Sequence, residues 1–201
     1  MRYTGPKAKK ARRLGQAFTA KQAKIMQRRP QAPGQHGASR SRLSEFGLQL
    51  REKQKAKLAY GLMEKQFSSL YKKALRKVGV TGDNLIKLLE TRLDNAVYRL
   101  GFAETRAQAR QLVSHGFFEV NGKKVDIPSF HLKVGDILAV KSNKQKSAYM
   151  EKQREKLKNH KSQEWLQLDA QKMSGRILTE PTPEMVDNVI NMQLIVEHYS
   201  R

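Results

Sequence analysis

The 201-residue chain predicts an α+β fold in which a basic irregular arm precedes helices and then antiparallel strands. Three observations carry that prediction. Turn formers crowd the first 42 residues. Apolar residues then recur at spacings of three and four from Tyr60 to Leu100, the period of a helix with one buried stripe. Near Phe117 the pattern becomes short apolar runs around Asn121-Gly122, the strongest short hairpin signal.

In the arm, Gly5-Pro6, Gly15, Pro30, Pro33-Gly34 and Gly37 leave no window for a long amphipathic helix before about Leu43. Lys9, Lys10, Arg12 and Arg13 are its densest cationic cluster, extended by Arg2, Lys7, Arg40 and Arg42. Such a run suits either a solvated tail or a nucleic-acid arm. Tyr3, Leu14, Phe18, Ile25 and Met26 are interleaved with the charges, which favours an arm that orders against RNA. Ordering a backbone costs about 1 to 2 kcal/mol per residue, so the free arm is expected to be mobile.

Forty Lys and Arg against eighteen Asp and Glu give a net charge of +22, whose self-repulsion asks for a polyanionic partner, nucleic acid first. Sixteen of those cations, with only Glu45 and Glu52 opposing them, fall in residues 1–60. The chain has no cysteine, which excludes a disulfide framework, a thiolate metal site and a cysteine nucleophile. No apolar run approaches the roughly 18 to 20 residues that span a bilayer, and the N-terminus lacks the apolar core of a signal peptide, so an intracellular protein without membrane contact is expected.

From Ser44 the sequence turns helical, with Leu43, Phe46 and Leu50 at helical spacing. At about 100° per residue, Arg51 and Lys55 share one face and Lys53 and Lys57 another, which predicts phosphate contact on more than one flank. Tyr60, Met63, Phe67, Leu70, Tyr71, Ala74 and Val78 form the next stripe, ending near Gly79. Thr81 or Asp83 caps a helix bearing Leu85, Leu89, Leu93, Ala96, Val97 and Leu100. Thr105 caps another that turns Ala109, Leu112 and Val113 inward and stops at Gly116.

Arg106 and Arg110 lie four apart on another side of that helix. An arginine in a first turn opposes the helix dipole, which suits an external anion; pairing with Glu104 is the alternative. Phe117–Val120 and Lys123–Ile127 read as hairpin strands. Together with Gln111, Ser114, His115, Lys123 and Lys124, the two arginines are candidate RNA-binding residues on one contiguous surface. Ile137–Val140 is a further strand, residues 141–161 a thinly apolar helix, and Trp165–Leu168 and Ile177-Leu178 short strands. Thr182-Pro183-Glu184 opens a short helix through Ile190, and Leu194–Tyr199 closes the chain.

Nucleotide-binding glycine loops, zinc-protease pairs and nucleophile elbows are all missing from the sequence, and the five histidines are scattered. Catalysis is not expected.

Seven segments together carry a resemblance: Met1-Arg2-Tyr3-Thr4-Gly5-Pro6-Lys7, Pro33-Gly34-Gln35-His36-Gly37, Leu50-Arg51-Glu52-Lys53-Gln54-Lys55, Arg92-Leu93-Asp94-Asn95, Ala109-Arg110-Gln111-Leu112-Val113-Ser114-His115, Val120-Asn121-Gly122 and Val196-Glu197-His198-Tyr199-Ser200. In this order they resemble small-subunit ribosomal protein four of the bacterial and organellar type, over nearly the whole chain.

The resemblance implies a helical domain of residues 43–91, completed by about 176–201, with a small RNA-binding domain of helices and antiparallel strands inserted at 92–175, after the arm of 1–42. It implies direct binding at a multi-helix junction in the 5′ domain of small-subunit ribosomal RNA and nucleation of subunit assembly. Contacts with ribosomal protein five, and a place near the channel through which messenger RNA enters, would link it to accuracy. Its compartment would be the cytoplasm, or a stroma or matrix if organellar. Some relatives hold zinc through cysteines in the arm; Ala8 stands where one would align, so no metal or other cofactor is expected. Two rival readings remain, an RNA-modifying or aminoacylating enzyme and a nonspecific basic nucleic-acid binder.

Overall fold

The computed structural model describes residues 3–38, 42–186 and 190–200. The fold is α+β, and the chain divides into two compact units, residues 1–76 with 189–201 and residues 77–188.

The first unit is helical. α1 (Lys7–Leu14) and α2 (Ala20–Arg28) lie inside the segment read as irregular. The turn formers do exclude a long helix, but they bracket two short ones. Gly15 stops α1 in the left-handed region at φ 69°, and Thr19 caps α2 by accepting from the Gln22 amide. Arg51 fixes α1 from outside, its Nε and Nη2 donating to the Leu14 carbonyl at 3.2 and 2.9 Å.

α3 (Glu45–Ala59) starts at Ser44, whose hydroxyl accepts from the Gly47 amide. Its buried residues are Gln49, Lys53 and Ala56, whereas Leu43, Phe46 and Leu48 are exposed. Its stripe is therefore not the apolar one. α4 (Glu64–Leu75) buries Phe67, Leu70, Tyr71 and Ala74, and α10 (Met192–Tyr199) returns to pack on α3. Val78 is fully exposed, so the apolar stripe ends with α4.

Glu64, the first residue of α4, ties these three helices together. It accepts from Lys53 Nζ at 3.0 Å, Lys57 Nζ at 2.8 Å and the Tyr199 hydroxyl at 3.0 Å, while the Tyr199 ring stacks on Tyr71 at 4.4 Å. Partial burial pushes the Glu64 carboxyl up, but the bonds from Lys57, Lys53 and Tyr199 outweigh it and bring the pKa down to about 2.

The second unit holds α5 (Thr81–Glu90), α6 (Leu93–Arg99), α7 (Arg106–Ser114), α8 (Ser142–Gln145) and α9 (Ala148–Lys158). Its sheet is antiparallel, with β1 (Phe118–Val120), β2 (Lys123–Lys124), β3 (Ile137–Val140), β4 (Leu166–Asp169) and β5 (Ser174–Ile177) in the order β2-β1-β3-β5-β4. Leu93, Val97, Leu100, Phe102, Val113, Phe118, Leu138, Met150 and Trp165 are fully or almost fully buried in one core. The predicted helix from 81 to 100 is broken at Thr91-Arg92. Of the helix expected from Thr182 to Ile190, a 3-10 turn at Pro183–Met185 is what forms among the described residues, and residues 187–189 lie outside them.

The two units divide at 76/77 and 188/189. α5 falls in the second, where its last residue, Glu90, is fully buried and bonded to Asn95 and Arg99 of α6. Glu90→Ala is expected to cost about 3 to 5 kcal/mol, because it strands a buried arginine. Urea denaturation followed through Trp165, the lone tryptophan, reads this unit.

In the first unit, the Glu64 pKa lies below its ordinary 4.5, so the carboxylate's contribution is full above that pH and is lost as pH falls toward about 2. Thermal melts followed by far-UV circular dichroism should therefore show a falling melting temperature across this window. Glu64→Gln should melt lower at neutral pH and depend less on pH within the window.

Candidate nucleic-acid interface

The geometry of the second unit begins at the break between α5 and α6. Thr91 Oγ1 donates to the Lys87 carbonyl, and the chain extends through Arg92. The first amides of α6 would then lack partners, but Leu93 N donates to Phe130 O at 2.8 Å and Asp94 N to Pro128 O at 3.2 Å. A loop thus caps α6 where no side chain does. Residues 94 and 95 are held in place to meet α7.

Glu90 is the buried centre of this arrangement. Its carboxylate accepts from Arg99 Nε and Nη2 at 3.0 and 2.9 Å and from Asn95 Nδ2 at 2.7 Å, and its carbonyl accepts from Asn95 Nδ2 at 3.0 Å. Asn95 Oδ1 accepts from Arg106 Nε at 2.7 Å, and the Arg106 guanidinium lies over the Tyr98 ring at 4.5 Å. Beside it, Asp94 takes both Arg92 Nε and Nη2 at 3.1 Å, with Arg110 Nη1 at 3.6 Å. Adjacent residues of α6 therefore receive two arginines one turn apart on α7.

Glu104, the alternative partner expected for Arg106, pairs with Lys156. Thr105 caps α7 through the Gln108 amide, and Ala109, Leu112 and Val113 are buried. At about 100° per residue, Arg106 and Arg110 fall about 40° apart on the shoulder of that buried face, which explains why both are half-buried. Gln111, Ser114 and His115 are exposed beyond them.

Asn121 and Gly122 take φ 49° and 76°, the left-handed pair that a type I′ hairpin requires, and set Lys123 and Lys124 on the exposed edge strand β2. The return strand pairs over two residues only, not through Ile127. A methyl group on Gly116 would lie 3.1 Å from Lys124 Cε, so the lysine stem runs past the C-terminal end of α7. The polar, exposed end of α7 and Lys124 of the hairpin are therefore neighbours.

In the first unit, Lys7, Lys9, Lys10 and Arg13 of α1 are exposed, as is Arg42. Lys10 Nζ sits 3.5 Å above the Tyr3 ring, and Arg12 Nε donates to Gln31 O at 2.9 Å. Arg2 and Arg40 lie outside the described residues. The α3 cations differ from the expectation of open flanks. Lys53 is buried, and both it and Lys57 bind Glu64; Arg51 caps α1, and Lys55 pairs with Glu52. Their two-sided display answers carboxylates and a helix end of the same chain.

Sequence reasoning passed over Lys21, Lys24 and Arg28, which stand exposed along α2, because the segment was not read as helical. It also gave Glu90, Asp94 and Asn95 no role at the site. The only signal for them was a short helix start carrying an unusual density of polar residues inside an apolar stripe. No group of three or more metal-ligating side chains occurs among the described residues, and without cysteine a thiolate zinc site does not fit this chain.

Comparison with known proteins matches residues 2–90 to the ribosomal protein S4/S9 N-terminal domain family and residues 91–138 to the S4 domain family. Proteins named small ribosomal subunit protein uS4 from Chloroflexus aurantiacus, Acetivibrio thermocellus and Chlorobium limicola are 50%, 47% and 48% identical to it. Each alignment covers 100% of this chain and 99% of the relative. Two consecutive domain matches in the right order, and near half-identity from end to end, leave one assignment: the chain belongs to the small ribosomal subunit protein uS4 family.

Proposed function

We propose that the chain is a structural, RNA-binding component of the small ribosomal subunit and no enzyme, holding ribosomal RNA at a multi-helix junction of the 5′ domain. The end-to-end relationship to proteins named small ribosomal subunit protein uS4 carries this reading. The exposed cations support it physically, because each lysine or arginine that meets a phosphate releases condensed counterions. One group is Lys7, Lys9, Lys10 and Arg13 on α1 with Arg42; the other is Lys123 and Lys124 with Gln111, Ser114, His115 and the half-buried Arg106 and Arg110. Lys53, Lys55 and Lys57, already held by Glu64 and Glu52, contribute less.

Early binding at that junction would nucleate subunit assembly. Contacts with ribosomal protein five, and with messenger RNA near the channel through which it enters, would connect the protein to accuracy. The resemblance supports these finer roles. Against a purely nonspecific binder stands the sorting of the surface, where polar side chains on α7 accompany the charges. Phosphate contacts position, and such neighbours sense shape.

With about 6 to 10 phosphates neutralised, the log–log dependence of affinity on salt should have a slope of about −4 to −9. Filter binding to the junction RNA and to a length-matched duplex, at several salt concentrations, measures it. The junction should be preferred at every salt concentration. Equal affinity for the two RNAs would establish the nonspecific binder, and a slope near −1 would remove the basic-surface reading altogether.

A further inference from the structure

We propose that Asn95, oriented by the buried carboxylate of Glu90, is a positioning residue that sets the Arg106 guanidinium for contact with RNA phosphate. The inference rests on the reading of α7 as part of the RNA-binding surface and names what holds its first cation. The direction of every bond in the chain of contacts is fixed. Ionised Glu90 can only accept, and it takes donors from Arg99 and Asn95. Asn95 Nδ2 donates to both the Glu90 carboxylate and the Glu90 carbonyl, which leaves Oδ1 as the atom turned to α7. Arg106 Nε meets that oxygen at 2.7 Å.

A long, flexible side chain is thereby held at two points, Nε on Asn95 and its plane on the Tyr98 ring at 4.5 Å. Holding a rotamer-rich side chain before binding removes part of the ordering cost that an RNA contact otherwise bears. The same donors would be lost with lysine, which has the charge but neither the planar fork nor the Nε. Asn95 is 2% exposed and cannot itself reach a ligand, so its influence on RNA must pass through Arg106.

The test measures affinity for the 5′-domain junction RNA and its salt slope for Arg106→Ala, Asn95→Ala, the double variant and Arg106→Lys. Trp165 fluorescence melts record folding. Arg106→Ala should bind about tenfold more weakly, the scale of one lost charge-assisted contact, with a slope shallower by about one. Asn95→Ala should reproduce both effects in a folded protein, and the double variant should bind no more weakly than Arg106→Ala. A purely structural Asn95 would lower the melting temperature and leave the slope unchanged.

Wild-type binding by folded Asn95→Ala, beside a weakened Arg106→Ala, overturns the positioning role. Wild-type binding by Arg106→Ala overturns it too, by removing Arg106 from the interface, while the slope of the unaltered protein still tests the proposed function separately. If Asn95→Ala does not fold, Arg106→Lys decides. Loss close to that of Arg106→Ala supports the proposal, and wild-type affinity overturns it.

Discussion

The interaction on which the second unit depends is the buried carboxylate of Glu90. A carboxylate removed from water is tolerable only when paired and hydrogen-bonded, and here three donors from two residues of α6 meet it. That requirement fixes the end of α5 against the start of α6. The break at Thr91-Arg92 follows, because one continuous helix could not return Asn95 and Arg99 to Glu90 while the loop at 128–130 capped α6. From there the order extends outward to α7 and its arginines.

The first unit solves a related problem with Glu64. Both carboxylates act in a chain whose net charge is +22, so each acid decides which cations are retained inside the protein and which remain turned outward. Glu64 holds Lys53 and Lys57, Glu52 holds Lys55, and Asp94 holds Arg92 with Arg110 close by. The lysines of α1 and β2 have fewer such neighbours and stay exposed, although Lys124 lies 3.2 Å from Asp126. An exposed pair of that kind contributes little and gives way readily to a phosphate. Net charge alone therefore overstates the surface offered to a polyanion.

Much of this was legible in the sequence. The α+β class, the Thr105 cap, the Asn121-Gly122 turn and the core residues from Leu85 to Leu100 follow from period and turn chemistry, which are local. The facial grouping on α3 was also legible, since Lys53 with Lys57 and Arg51 with Lys55 do part as helical geometry demands. The partners of Arg51, Lys53 and Lys57 were not, because Glu64 and the Leu14 carbonyl come to α3 only through tertiary packing, whereas Glu52 meets Lys55 within the helix. Asn95 and Glu90 were hidden for the same reason. A buried polar residue inside an apolar stripe looks like a surface position until its partner is known.

The arm shows where the entropy argument stops. Isolated helices shorter than about 12 to 15 residues are marginal in water, and α1 and α2 are 8 and 9 residues long. Reading the first 42 residues as irregular was sound for that segment alone. The helices owe their definition to contacts at their ends: Gly15 and Arg51 at the end of α1, Thr19 and Gln22 at the start of α2. Ala11, fully buried, and Gln22, nearly so, show that these helices also have an inner side. Because Arg51 is committed to the α1 carbonyl, the cost of setting the exposed lysines of α1 in a defined array is partly met by a side chain of α3. The arm's phosphate-binding geometry and the fold of the helical unit are thus linked through one guanidinium.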